Sequence, residues 1–227
     1  MTLPDSFCWT RFGTEAAEPI EHIILRKEEE RLANGGVFVW GIGNAVGPSI
    51  RELLDQPSEP EVMFSPMRSS PKETDVHPDA VAVWVCGQAL DGSTHKIPQY
   101  SLVTSRYSES SPKATHYALV CRSLEPLLPL RSENFLSLRN LRNLRTGRVV
   151  GASQVTAVVS RDLECGEGGP LYLIAIRAQL VYPYFLRLRH PHIAQSGDHP
   201  ARWSINERVA LRSSLIGQME RERTPLF

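Results

Sequence analysis

Arginine recurs at every third position of SLRNLRNLRTGR, at Arg139, Arg142, Arg145 and Arg148, with Leu138, Leu141 and Leu144 each one place ahead. A spacing of three drifts slowly around a helix, so the first three arginines form an inclined stripe opposite a leucine stripe. Guanidinium groups in such a row can follow phosphates through electrostatic, salt-sensitive contacts. A solvated helix face paired with nearby acids has the same pattern, and the spacing leaves both open.

The tryptophans are the second chemical signal. Trp9 lies in an opening strand and Trp40 beside a glycine-rich bend, in GVFVWGIGNAVGPSIRELL. Gly41, Gly43 and Gly47 leave the main chain bare, Trp40 offers a stacking face, and Asn44 carries an amide able to read a base edge. The alternative for Trp40 is an ordinary core residue, since aromatics dominate cores. The same GIGNAVG is no dinucleotide fingerprint, because its third glycine comes one place early and no βαβ unit follows.

Enzyme signatures are missing. Ser65 sits in SPM rather than a nucleophile elbow, and no H-E-x-x-H occurs. His77, His95 and His116 with Asp75, Asp79 and Asp91 fit no spacing that names a reaction. Cys8, Cys86, Cys121 and Cys165 are never paired as C-x-x-C, so they read as reduced, partly buried thiols and not as a metal site. Arg187, Arg189, His190 and His192 make a second basic cluster, in which the histidines read as structural or surface residues. The expectation is no metal and no cofactor.

These residues need elements to hold them. The 227 residues, 41% hydrophobic and 22% charged, suffice for one sizeable core. Lys+Arg and Asp+Glu are 25 each, which says nothing against a local basic patch. No apolar run approaches the roughly 18 residues of a membrane-spanning helix, and Met1 to Cys8 lacks a signal-peptide pattern, so a cytoplasmic, non-membrane protein is expected. The pattern predicts strands at 7–12, 37–42, 61–64, 81–86, 100–104, 116–121, 149–160 and 171–182, with a turn at Asp91-Gly92 between the fourth and fifth. Helices are predicted at 19–33, 48–54 and 132–145. Ser204-Ile205-Asn206-Glu207 reads as a capping box opening a helix to about Arg221. The long polar stretch 65–78, carrying Arg68 and Lys72, reads as a functional loop. The class is α+β, a partly closed β-barrel flanked by helices, with residues 1–227 as one domain and a helical extension from about 200 to 227.

In motif order the chain resembles the EVE and ASCH branch of the PUA-like superfamily over roughly residues 7 to 190. CWTRF, VWGIGNAVGPSIREL, EVMFSPMR, VVGASQVTAVV and LYLIAIRAQLVYPYFL stand in that family's order. The resemblance implies a small barrel that binds nucleic acid without turnover and reads a modified base in DNA or RNA. It implies Trp9 and Trp40 as stacking walls, Asn44 as edge reader, and Ser65 and Arg68 as contacts at the pocket mouth. Arg139, Arg142, Arg145 and Arg148 would then hold phosphates. Two other classes stay open: an enzyme acting on nucleic acid or nucleotides, and an interaction subunit whose leucine and arginine stripes bind a protein partner.

Overall fold

Side chains alternate along Ser6–Phe12 (β1), sending Phe7 and Trp9 into one core cluster and Cys8 and Phe12 into another. Both faces of this strand are therefore covered, and β1 is central. The computed structural model describes residues 3–12, 20–67, 80–98, 101, 103–106, 116–127, 134–162, 170–189 and 191–195. Arg68 and the expected helix after Ser204 lie outside them.

Helix α1 (Ile20–Ala33) ends at Gly35 and Gly36, whose φ values of +66° and +95° suit residues without a Cβ. Strand β2 (Val37–Ile42) follows, then helix α2 (Gly47–Leu54), where Pro48 stands in the first turn and Ile50 and Leu53 are buried. Next come β3 (Glu61–Pro66), β4 (Ala80–Trp84), β5 (Cys86–Ala89), β6 (Thr94–Lys96), β7 (Val103–Arg106) and β8 (Tyr117–Pro126). The chain continues through β9 (Phe135–Ser137), β10 (Leu141–Asn143), β11 (Thr156–Arg161), β12 (Leu171–Leu173), β13 (Ile176–Leu188) and β14 (His192–Gln195). Asp91-Gly92 makes the turn from β5 to β6, not the longer connection expected from sequence.

The main sheet runs β10-β11-β1-β3-β13-β5-β6, with β8 on the other edge of β13 and β2 beyond β8. Only β1 and β3 are parallel; every other described pair is antiparallel. Strand β13 is the spine. Along one edge it pairs first with β3 and then with β5, and along the other it follows β8, with a register shift between Leu180 and Phe185. Smaller sheets, β12-β9 and β14-β4-β7, flank it. The class is α+β, as expected, and the main sheet is mixed; no pairing among the described strands closes it into a ring.

The expected helix over 132–145 is absent. Its described part is β9, a single 3-10 turn at Leu138–Asn140 and then β10, which pairs with β11. Three asparagines, Asn134, Asn140 and Asn143, weaken a helix here, and the free edge of β11 offers backbone partners that a helix would leave unused. A repeat of three also matches the 3-10 turn directly. No described helix is long and apolar enough to cross a membrane.

Candidate functional site

Trp9 on β1 is fully buried, and its Nε1–H donates to Ser65 Oγ on β3 at 2.9 Å. Ser65, also fully buried, supplies the acceptor that a buried indole needs. Tyr172 presents its ring edge-on to Trp9 at 5.8 Å, and the Arg11 guanidinium lies over that same tyrosine at 5.1 Å. Arg11 Nη1 donates to the Ala152 carbonyl at 2.9 Å, while its Nε is buried without a hydrogen-bond partner. Both Arg11 and Tyr172 are partly exposed, so this face of β1 meets solvent through a cation stacked on a phenol.

Trp40 belongs to the opposite face. It packs against Phe64 at 4.6 Å and Phe12 at 5.7 Å, with Lys27 Nζ 5.9 Å from its ring centre, and only 8% of its surface is exposed. Lys27 also contacts Glu30 at 2.8 Å and donates to the Val39 carbonyl at 2.6 Å. The structure thus separates Trp9 and Trp40 into two clusters across the sheet and does not bring them together as facing walls. Asn44 is exposed and donates through Nδ2 to the Thr156 carbonyl at 3.1 Å.

The glycines beside Trp40 serve packing more than a ligand. A Cβ on Gly41 would stand 3.2 Å from Val103 Cγ1 and 3.3 Å from His116 Nε2, and one on Gly47 would stand 3.0 Å from Phe185. Gly43 alone faces open space. His116 stacks on Trp84 with 6.3 Å between centroids, and burial holds its imidazole below the usual pKa range.

The arginine-leucine repeat keeps its sidedness without the helix. Leu138 and Leu141 are buried beside Trp9, and Leu144 packs against the Trp40 cluster. Arg139, Arg145 and Arg148 are exposed. Arg142 is tied to Asp162 by bonds of 3.0 and 2.9 Å, which makes it a structural link first. Arg145 stands 3.6 Å from Glu52, with both side chains open to solvent. Asn143 Oδ1 accepts from the amides of Arg145 and Thr146, and Gly147 takes φ +66°, so Arg145 and Arg148 flank a tight turn.

Sequence reasoning missed Arg11 and Tyr172. Period two from Trp9 reaches Arg11, but Tyr172 joins only through the pairing of β12 with β9. It also missed a hollow of about 260 Å³ lined by Glu59, Glu61, Ser123, Glu125, Arg177 and Gln179. Glu61 pairs there with Arg177, Glu59 accepts from Gln179, and Glu61 Oε2 is buried without a partner. Three carboxylates make this hollow a poor seat for phosphate. Among the described residues no three His, Cys, Asp or Glu gather around a common point. No protein-family model, curated protein or solved structure matches the chain.

Proposed function

We propose that the chain is a nucleic-acid-binding module that reads a modified base in DNA or RNA without catalysis. The observation that carries this reading is the segment 134–150. Leu136, Leu138 and Leu141 seal the Trp9 side of the sheet, and Arg139, Arg145 and Arg148 stand outward on the same short stretch. Exposed guanidinium groups on a backbone anchored by core leucines form a basic surface that follows phosphates at little cost in ordering. Arg11 over Tyr172 supplies the accessible aromatic on the Trp9 face, and Asn44 offers an exposed amide. In this reading Trp9 and Ser65 support the face from beneath. The order β2-β8-β13-β3-β1-β11, with β1 and β3 parallel, is read as an opened PUA-like barrel.

The test is a binding panel of short DNA and RNA duplexes and single strands, with and without modified bases, at two salt concentrations. Changing Arg145 and Arg148 to Ala should weaken modified and unmodified ligands alike. The salt slope should fall by about one unit per lost phosphate contact. An unchanged slope together with unchanged affinity removes the phosphate role.

A second reading, a protein-interaction subunit, draws on Leu25 and Leu32 of α1. They stand seven residues apart, hence on one helix face, and are 61% and 67% exposed. Pull-downs that lose a partner on Leu25→Glu, while nucleic-acid binding stays intact, would favour it.

A further inference from the structure

The turn from β5 to β6 and the register shift of β13 bring four polar side chains to one point. In the run DGSTH, Asp91, Ser93 and His95 alternate and so share one side of the hairpin. Tyr182 reaches them from β13. Ser93 Oγ lies 2.8 Å from His95 Nε2 and also donates to Asp91 Oδ1. Tyr182 Oη donates to Asp91 Oδ2 at 3.1 Å and lies 3.4 Å from His95 Nε2.

This is not the geometry of an activated serine. The Ser93 hydroxyl is directed at a carboxylate, and the turn's amides are already engaged: Ser93 N donates to Asp91 Oδ1 and Gly92 N to the Ala89 carbonyl. Neither of these two amides is left for an oxyanion. The mutual spacing suits a cation instead. Donors bound at about 2.0–2.1 Å stand about 3.3 Å apart at tetrahedral corners and about 3 Å apart at octahedral ones. The two contacts of Tyr182, 3.1 and 3.4 Å, and that of His95 with Ser93, 2.8 Å, fall within or close to either side of this range.

We propose that Asp91, His95 and Tyr182, with Ser93 at their side, form a binding site for a first-row divalent cation that accepts mixed nitrogen and oxygen donors, as Zn²⁺ does. Imidazole with carboxylate and phenol oxygens suits such an ion better than Mg²⁺ or Ca²⁺, which take oxygen alone. Tyr182 is 59% exposed and Asp91 is exposed, so an ion enters without opening the core. Binding places the cation where hydrogen-bonding protons now lie, and a phenol proton leaves if Tyr182 binds as phenolate. The ion would pin the β5–β6 hairpin to β13.

The test is calorimetric titration of ZnCl₂ into the chelator-stripped full chain, with thermal melting alongside. One ion per chain is expected, together with a rise in melting temperature. His95→Gln, Tyr182→Phe and Asp91→Asn should each weaken binding at least tenfold and remove that rise. In chelator Asp91→Asn and Tyr182→Phe should melt like the unaltered chain, since both groups are exposed, and His95→Gln should fall only slightly, since the ring is half-buried. If one variant melts lower, the other two carry the comparison. No saturable binding, or binding lost in His95→Gln but kept in both Tyr182→Phe and Asp91→Asn, overturns the site.

Discussion

Replacing Trp40 with alanine tests whether the indole is a wall for a ligand or a piece of the core. The side chain fills the space between Phe64 and Phe12, with Lys27 beside it, and is 92% buried by the complement of its 8% exposure. A tryptophan buries about 150–250 Å². At about 25 cal/mol per Å² that is roughly 4–6 kcal/mol, and partial relaxation around the cavity brings the expected cost to about 3–5 kcal/mol. A chain of this size loses about 2–4 °C of melting temperature per kcal/mol, so the melt should fall by about 6–20 °C. Circular dichroism melting of Trp40→Ala beside Trp40→Phe reads this directly, with the phenylalanine variant falling between. A melt within about 2 °C of the unaltered chain, combined with weakened nucleic-acid binding, would refute the core assignment and return Trp40 to a stacking role.

Ser65→Ala strips the buried Trp9 indole of its acceptor and should cost about 1–3 kcal/mol in urea unfolding, with Trp9 emission shifted; a cost under about 0.5 kcal/mol would dissolve the proposed link. Arg142→Ala should lower stability by no more than about 1 kcal/mol, because its pair with Asp162 is partly exposed, and should leave the nucleic-acid salt slope nearly untouched. Cys8, its thiol pushed up to about 12 by burial, and Cys121, also raised by burial, should resist iodoacetamide at pH 8 in the native chain and react on unfolding; mass mapping of the adducts checks this. Burial holds the folded His116 below the imidazole value of the unfolded chain, so the unfolded chain binds that proton first. Stability should therefore fall as pH drops through the ordinary imidazole range, and His116→Gln should flatten that slope in pH-dependent melts.

The strands that alternate or run apolar were legible: 7–12, 37–42 and 61–64 hold, since period two and β-branched content act locally. Helices α1 and α2 were legible from Pro48, Gly35-Gly36 and their apolar spacing. The segment from Phe135 to Asn143 was not, because its conformation is decided by distant partners: β9 pairs with β12, about thirty-five residues further on, and β10 takes the edge of β11, about twenty residues on. Its sidedness was readable all the same, with Leu138 and Leu141 inward and Arg139 outward, because burial sorts leucine from arginine in either conformation. The site divided the same way. Motif order singled out Ser65 and Trp9 as pocket residues but not their bond to each other in the core, and Tyr172 under Arg11 needed a pairing that no local pattern announces.

Strand β13 sets a clock for synthesis. It is the partner of β3, β5 and β8, yet it leaves the ribosome more than a hundred residues after β3. At about 5–20 residues per second, the open edge of β3 waits roughly 5–20 seconds for this neighbour and that of β8 roughly 3–10 seconds. During that interval Phe64, Leu119 and Cys121 belong to a core that cannot close. A nascent chain arrested before residue 176 should therefore be protease-sensitive and prone to capture by chaperones, and one extended past 188 should not.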